Sequence, residues 1–320
     1  MNTTAYVLTA LGLVSAQIGY LRLARYFGII DRPNDRSSHT GLTTVRGGGI
    51  VFFVAELLAF WYSGFAYPFF FLGLCWVALV SFLDDVRPLP GGYRLVAQCV
   101  GMALLMYQTG AMDQNGWIVG AWLLVGVGIL NAYNFMDGIN GMTAWYSLVT
   151  VGTLGVWQWQ RQPAGEESFL WFALIALLVF SVVNARRQAI CFAGDVGSVS
   201  MAFIILLPMV ELINRTHSYL PVLLLAVYGV DTVLTIGQRL YQRQNIFRAH
   251  RQHLYQWLVH RLNWPHLAVS GLYALAQLAI NTVVIQAAGW PVGEQWWLAG
   301  AIVITLTGVY ASLKGYLRNK

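Results

Sequence analysis

Asp84 and Asp85 are adjacent, and Asp137, Asp195 and Asp231 each stand in, or at the edge of, a short polar break between apolar runs. A charge at membrane depth is expensive and is seldom placed there without a use. Carboxylates gathered at one membrane face point to a hard divalent cation and a phosphorylated ligand. The first break reads Ser81-Phe82-Leu83-Asp84-Asp85-Val86-Arg87-Pro88, with Arg94 seven residues beyond Arg87. Adjacent carboxylates with arginines close by can hold a cation and orient a phosphate through its oxygens. The plain alternative is a solvated helix end, but acidic side chains at a helix C-terminus oppose its dipole.

The second break runs from Asn131 to Gly141 and contains Asn134, Asp137, Gly138 and Asn140. Asn131 and Asn134 share a helix face, and Asp137 joins them if the chain turns at Gly138. Amides donate to phosphate or base edges and a carboxylate accepts, so the three could form a polar clamp; simple interhelical packing is the alternative. The third break, Gly194-Asp195-Val196-Gly197-Ser198, opens an apolar run. Asp195 there is either an N-cap or a metal ligand, with Gly194 and Gly197 letting backbone approach phosphate oxygens at a helix N-terminus.

Two polar loops add cations. One carries Arg248, His250, Arg251 and His253, which supply bidentate phosphate donors and imidazoles; its alternative is a basic amphipathic helix on anionic lipid. The other runs from Asp31 to His39 and on into Arg46-Gly47-Gly48-Gly49, an oxyanion-ready loop or a plain connector. Glu56 lies mid-span and Asp231 near an inner helix end, and either could be a satisfied interhelical partner.

The elements that must position these groups are helices in a membrane. Hydrophobic residues make up 58% of the 320 and charged residues 10%, against roughly 25% charged in a soluble domain, and the mean hydropathy is +0.59. Eleven apolar stretches approach the ~20 residues a span needs, at about 4–21, 48–66, 68–83, 95–111, 116–133, 139–158, 168–184, 197–213, 219–237, 267–288 and 296–313. The first has its arginines, Arg22 and Arg25, after the apolar run, the reverse of a cleaved signal. With the loop from Arg22 to Arg46 inside, 17 of the 19 Lys and Arg are cytoplasmic and only Arg161 and Arg215 are outside, which predicts an N-out, C-in topology. The net charge of +6 then belongs mostly to the inner surface, through topology and anionic lipid or through attraction of an anionic substrate. Cys75, Cys99 and Cys191 are scattered and make neither a disulfide framework nor a zinc spacing. No polar segment is long enough to bury a core of its own, so residues 1–320 are expected to form a single transmembrane catalytic domain with its chemistry on cytoplasmic loops.

Taken together, the breaks resemble the polyprenyl-phosphate N-acetylhexosamine-1-phosphate transferases, the family that includes the phospho-MurNAc-pentapeptide translocase and the enzymes that start O-antigen synthesis. The resemblance rests on Pro33-Asn34-x-Arg36-Ser37-x-His39 with Arg46-Gly47-Gly48-Gly49, on Asp84-Asp85, on Asn131-x-x-Asn134-x-x-Asp137-Gly138, on Gly194-Asp195-x-Gly197-Ser198 and on the loop from His250 to His253, in that order. It implies an all-α bundle of about eleven transmembrane helices in the bacterial inner membrane, with a cytoplasmic cleft. It implies transfer of N-acetylhexosamine-1-phosphate from a UDP-sugar to undecaprenyl phosphate with release of UMP. By the same resemblance Asp84 and Asp85 are catalytic, Asp195 and Asp85 bind Mg2+ or Mn2+, and Asn131, Asn134, Asp137, His250, Arg251, His253 and Arg46 hold substrate. The partners implied are undecaprenyl phosphate, UDP-N-acetylhexosamine and membrane lipid; a homodimer is compatible, and no nucleic acid is expected.

The chain departs from the family in two places. Many relatives carry a denser histidine cluster where this chain has His253-Leu254-Tyr255-Gln256, and the peptidoglycan branch has a Lys-Gly-Thr-Pro type loop where this chain reads Leu42-Thr43-Thr44-Val45-Arg46-Gly47. The second departure favours the O-antigen-like branch. A transporter of an anionic metabolite is the alternative from another class, although no inverted pair of interrupted helices is evident. A CDP-alcohol phosphotransferase would require Asp-Gly-x-x-Ala-Arg, and Asp137-Gly138 is followed by Ile139-Asn140-Gly141.

Overall fold

The computed structural model describes residues 3–31, 44–161, 168–246 and 250–318. Among them are twelve α-helices: α1 (Thr3–Tyr26), α2 (Ile50–Tyr62), α3 (Pro68–Val86), α4 (Gly91–Gln108), α5 (Gly116–Met136), α6 (Met142–Arg161), α7 (Ser168–Asn184), α8 (Gly194–Thr216), α9 (Ala226–Tyr241), α10 (Leu254–Leu262), α11 (His266–Ala287) and α12 (Val292–Arg318). Two-residue strands β1 (Ile30–Asp31) and β2 (Thr44–Val45) pair antiparallel.

Each of the eleven apolar stretches coincides with a helix, and the twelfth, the nine-residue α10, lies in the long polar loop. Seven segments are long and apolar enough to cross a membrane: α1, α3, α5, α8, α11, α12 and the unit Leu220–Tyr241 that ends in α9. The chain is therefore an all-α, polytopic membrane protein. Helix boundaries follow local chemistry. Proline occupies the start of α3 at Pro68 and precedes α4 and α11 at Pro90 and Pro265, where a missing N–H costs nothing. His217 and Asn263 end α8 and α10 in the left-handed conformation.

α8 is the axis of the bundle, with 94% of its most apolar window buried, whereas α12 lies at the periphery with 6%. The unit Leu220–Tyr241 is not one continuous α-helix, because Leu220–Leu225 is a 3-10 turn. Irregular backbone at membrane depth needs partners inside the protein. Gln277 provides them, donating to the Leu223 carbonyl at 2.8 Å and accepting from the Val227 N–H at 3.0 Å, while Thr150 donates to the Leu224 carbonyl at 3.2 Å. The C-terminal end of α3 and the N-terminal end of α8 meet at one end of the bundle, through Asp85. Asn140, after α5, donates to the carbonyls of Arg186 and Arg187 after α7 at that same end.

Candidate active site

The glycines of two loops bring their backbones together. Residues 45–49 run alongside 190–193, with Phe192 N–H donating to Val45, Gly48 N–H to Phe192 and Gly49 N–H to Ala193 at 2.8–3.0 Å. A Cβ on Gly49 would collide with the Gly197 Cα, and one on Gly194, whose φ is +72°, would run into Gly47 and the Asp85 carboxylate. The expectation that Gly194 and Gly197 make room for phosphate is thus corrected, since their open faces are filled by the loop that carries Arg46.

Asp85 joins this pair of loops to α3. Its Oδ1 accepts from Arg46 Nε at 2.6 Å and from the Asp195 N–H at 2.9 Å, and its Oδ2 accepts from the Val196 N–H at 2.9 Å. The first amides of α8, which lack intrahelical acceptors, are therefore capped by a carboxylate from another helix. α8 has no side-chain cap of its own, so the N-cap expected of Asp195 falls to Asp85. Through both of its oxygens Asp85 ties Arg46 to the first turn of α8.

Asp195 is left to face two guanidinium groups. Its Oδ1 lies 3.3 Å from Arg46 Nη2 and its Oδ2 lies 3.4 Å from Arg94 Nη1, and the same Arg94 nitrogen reaches Asp84 Oδ2 at 3.3 Å. Asp84 also accepts the Leu89 N–H through Oδ1. Burial works against the charge on Arg46, but Asp85 and Asp195 outweigh it and hold its pKa above the usual value. Tyr20 fixes the arginine's backbone by donating to its carbonyl at 2.7 Å.

A small cleft opens beside these groups between α3, α4, α5 and α8. Its polar wall holds Arg94, Gln98, Asn131, Asn134 and Asp195, and its apolar wall holds Val77, Val80, Ala97 and Val199. Asn131 donates to Gln98 at 2.7 Å across the α4–α5 seam, and Asn134 donates to Ser198 Oγ at 3.3 Å. Asp137, at the end of α5, turns away and accepts from Thr143 Oγ1 at 2.6 Å. The expected clamp of three is thus two asparagines in one cleft with a carboxylate beside it. Burial pushes the Asp137 carboxyl up to about 7, opposed by the Thr143 hydroxyl and added to by Asp195.

The histidine loop closes on the same end of α5. The His250 and His253 rings stack at 4.9 Å, and Phe135 lies 6.4 and 6.1 Å from them. The Tyr255 hydroxyl donates to the Phe135 carbonyl at 2.9 Å and occupies the space where a Cβ on Gly138 would stand. Gly138 is a glycine because of that contact. Arg251 is partly buried beside them. The stretch from Arg32 to Thr43, with Pro33, Asn34, Arg36, Ser37 and His39, lies outside the described residues, as does Arg248. Glu56 is 2% exposed, and its Oε1 has no hydrogen-bond partner, contrary to the expectation of a satisfied interhelical contact. Asp231 is an interhelical partner, as expected, and it binds His253.

Sequence reasoning missed Gln98, Tyr20 and Thr143. Gln98 carried a signal, a polar amide inside an apolar run; Tyr20 and Thr143 carried none. Among the described residues no three His, Cys, Asp or Glu side chains stand together as a ready metal cage. Mg2+ does not require one, since it keeps several waters and is commonly held by one or two carboxylates plus substrate phosphates. Asp195, with both oxygens in long and exchangeable contacts, fits that mode.

The sequence profile described as glycosyl transferase family 4 matches residues 67–213, from the start of α3 to the last turn of α8. The undecaprenyl-phosphate alpha-N-acetylglucosaminyl 1-phosphate transferase of Escherichia coli (strain K12) is 26% identical over 291 residues, covering 83% of this chain and 78% of the relative. Its counterpart in Yersinia pestis is 28% identical over 265 residues, covering 74% and 71%. The probable undecaprenyl-phosphate N-acetylglucosaminyl 1-phosphate transferase of Bacillus subtilis (strain 168) is 25% identical over 294 residues, covering 83% and 80%. The matched segment holds Asp84, Asp85, Asn131, Asn134, Asp137 and Asp195, and over it the chain is similar to glycosyl transferase family 4.

Proposed function

We propose that the protein transfers N-acetylhexosamine-1-phosphate from a UDP-sugar to undecaprenyl phosphate and releases UMP. The observation that carries this reading is the polar site of Asp84, Asp195, Arg46 and Arg94 at the head of a cleft whose other wall is apolar. A lipid phosphate needs both surfaces at once, a cationic head site and an apolar wall for its first isoprene units. The relatives' names support undecaprenyl phosphate as the acceptor, and the resemblance of the Arg46 loop to the O-antigen-like branch supports a product among lipid-linked glycans of that type. The site would face the cytoplasm of the inner membrane, where UDP-sugars are made.

In the reaction the lipid phosphate attacks the β-phosphorus of the donor, the bond from that phosphorus to the bridging oxygen breaks, and UMP leaves with the electron pair. Mg2+ at Asp195 would neutralise the charge growing on UMP. Arg94 and Arg46 exchange their long contacts with Asp195 for phosphate oxygens and set the reactants in line, which is most of what phosphoryl transfer asks of a protein. Asp84 orients the acceptor or takes its proton; a phosphate monoester has its second pKa near 6, so orientation is the larger part at neutral pH. Asp85 holds Arg46 and the α8 N-terminus in place. Asn131, Asn134, Asp137 and the loop from His250 to His253 bind the nucleotide sugar.

Purified protein incubated with undecaprenyl phosphate, Mg2+ and a panel of UDP-sugars should release UMP with at least one of them. Uptake of an anionic metabolite into proteoliposomes, without UMP from any donor, would overturn the reading.

A further inference from the structure

Asp231, 2% exposed, accepts five hydrogen bonds. Its Oδ1 takes His253 Nδ1 at 3.2 Å, Thr235 Oγ1 at 3.2 Å and the Leu254 N–H at 3.0 Å; its Oδ2 takes the Tyr273 hydroxyl at 2.7 Å and the Tyr255 N–H at 3.4 Å. The amides belong to the first turn of α10, where intrahelical acceptors are lacking and negative charge meets the positive end of the helix. Two turns further along α9, Arg239 donates to the carbonyls of Asn245 and Ile246 at 2.7 and 3.3 Å. One helix thus grips both ends of the stretch that carries His250, Arg251 and His253.

His253 is 1% exposed, and its second ring nitrogen, Nε2, has no hydrogen-bond partner. A buried polar atom left unpaired costs about 1–3 kcal/mol, which argues for a partner that arrives with substrate. A carboxylate on one imidazole nitrogen fixes the proton there and sets what the other nitrogen offers. With Asp231 on Nδ1, Nε2 is the ring atom left to meet a bound substrate. The stacked His250 ring and Phe135 leave it no freedom to turn.

We infer that Asp231 is a positioning residue of the transfer reaction: it aims His253 Nε2 at the diphosphate of the nucleotide sugar while capping the helix that follows. The inference rests on the transferase reading, and binding of UDP alone, which needs no turnover, separates the two. Asp231→Asn should weaken UDP binding about tenfold or more, the usual effect of disturbing a hydrogen bond to a charged group, and raise the KM for the donor while the KM for undecaprenyl phosphate holds. His253→Gln should do the same. In the double variant the Asp231→Asn change should add less than about twofold, because the first acts through the second. A purely structural role instead gives full, additive losses in both backgrounds and overturns the inference. If Asp231→Asn is not recovered folded, Tyr273→Phe, which removes one bond from the carboxylate, should weaken UDP binding in the parent and not in His253→Gln; equal weakening in both overturns it too. A wild-type protein that does not bind UDP defeats the transferase reading itself, and this inference with it.

Discussion

The Asp85 carboxylate accepts the backbone N–H of Asp195 at 2.9 Å, so one aspartate caps the helix that presents the other. Asp231 repeats the device on α10, accepting the Leu254 N–H next to His253. In both cases a carboxylate near the end of one membrane helix sets the orientation of the next polar segment. At the start of α8 capping falls to Asp85 and leaves the Asp195 side chain free of it, which makes their loss separable by experiment.

Asp84→Asn and Asp85→Asn should therefore fail differently. Asp85→Asn leaves Arg46 without its shortest ionic contact and weakens the α8 cap, so it should cost about 2 kcal/mol or more of stability along with activity. Asp84→Asn keeps an oxygen for the Leu89 N–H and should leave the melting temperature in detergent nearly unchanged, while turnover drops by about 10² or more. Thermal unfolding beside UMP release tests the pair. Equal melting losses for both variants would contradict the division.

Asp195→Asn should abolish turnover and flatten the dependence on Mg2+, because a hard cation loses an anionic ligand at constant side-chain volume. Since Asp195 makes no side-chain cap, its stability should change by less than about 1 kcal/mol. Wild-type activity with an unchanged Mg2+ titration would remove the metal assignment.

The helices were legible in the sequence because apolar length is a one-dimensional signal. α10 was not: its buried face of Leu254, Tyr255, Leu258 and Val259 is short, and its N-cap is His253, outside the Ser, Thr, Asp and Asn that usually mark a helix start. The candidate site was legible as a set of residue types, yet not as a division of labour. Asp84 and Asp85 read as equivalent neighbours, whereas on a helix adjacent residues point about 100° apart, one toward Arg94 and Leu89, the other under α8. Gly194 and Gly197 read as a phosphate cradle because backbone-to-backbone contact between distant loops leaves no mark in local spacing.

Gly138→Ala should damage the donor site through Tyr255. The new methyl group would overlap a buried hydroxyl that is tied to the Phe135 carbonyl, an overpacking worth about 1–3 kcal/mol. The expected result is a higher KM for the nucleotide sugar, with Tyr255→Phe partly restoring it by removing the overlapping oxygen. A double variant no better than Gly138→Ala alone would place the fault elsewhere.

Asp137 predicts how pH and cation binding are linked. Its carboxyl, pushed by burial up to about 7, stands well above the ~3.9 of an unfolded aspartate. A raised folded pKa contributes stability that is complete below the unfolded value and is lost as pH rises through the folded one, so without Mg2+ this group should make the protein less stable between about pH 4 and about pH 7. A cation at neighbouring Asp195 favours the ionised form of Asp137, and protons released on binding make cation affinity rise with pH. The Mg2+-induced gain in melting temperature should thus be larger at pH 8 than at pH 6. Asp137→Asn, which carries no proton to release, should give nearly equal gains at both pH values. A wild-type gain independent of pH over that interval would show that Asp137 is not coupled to the cation.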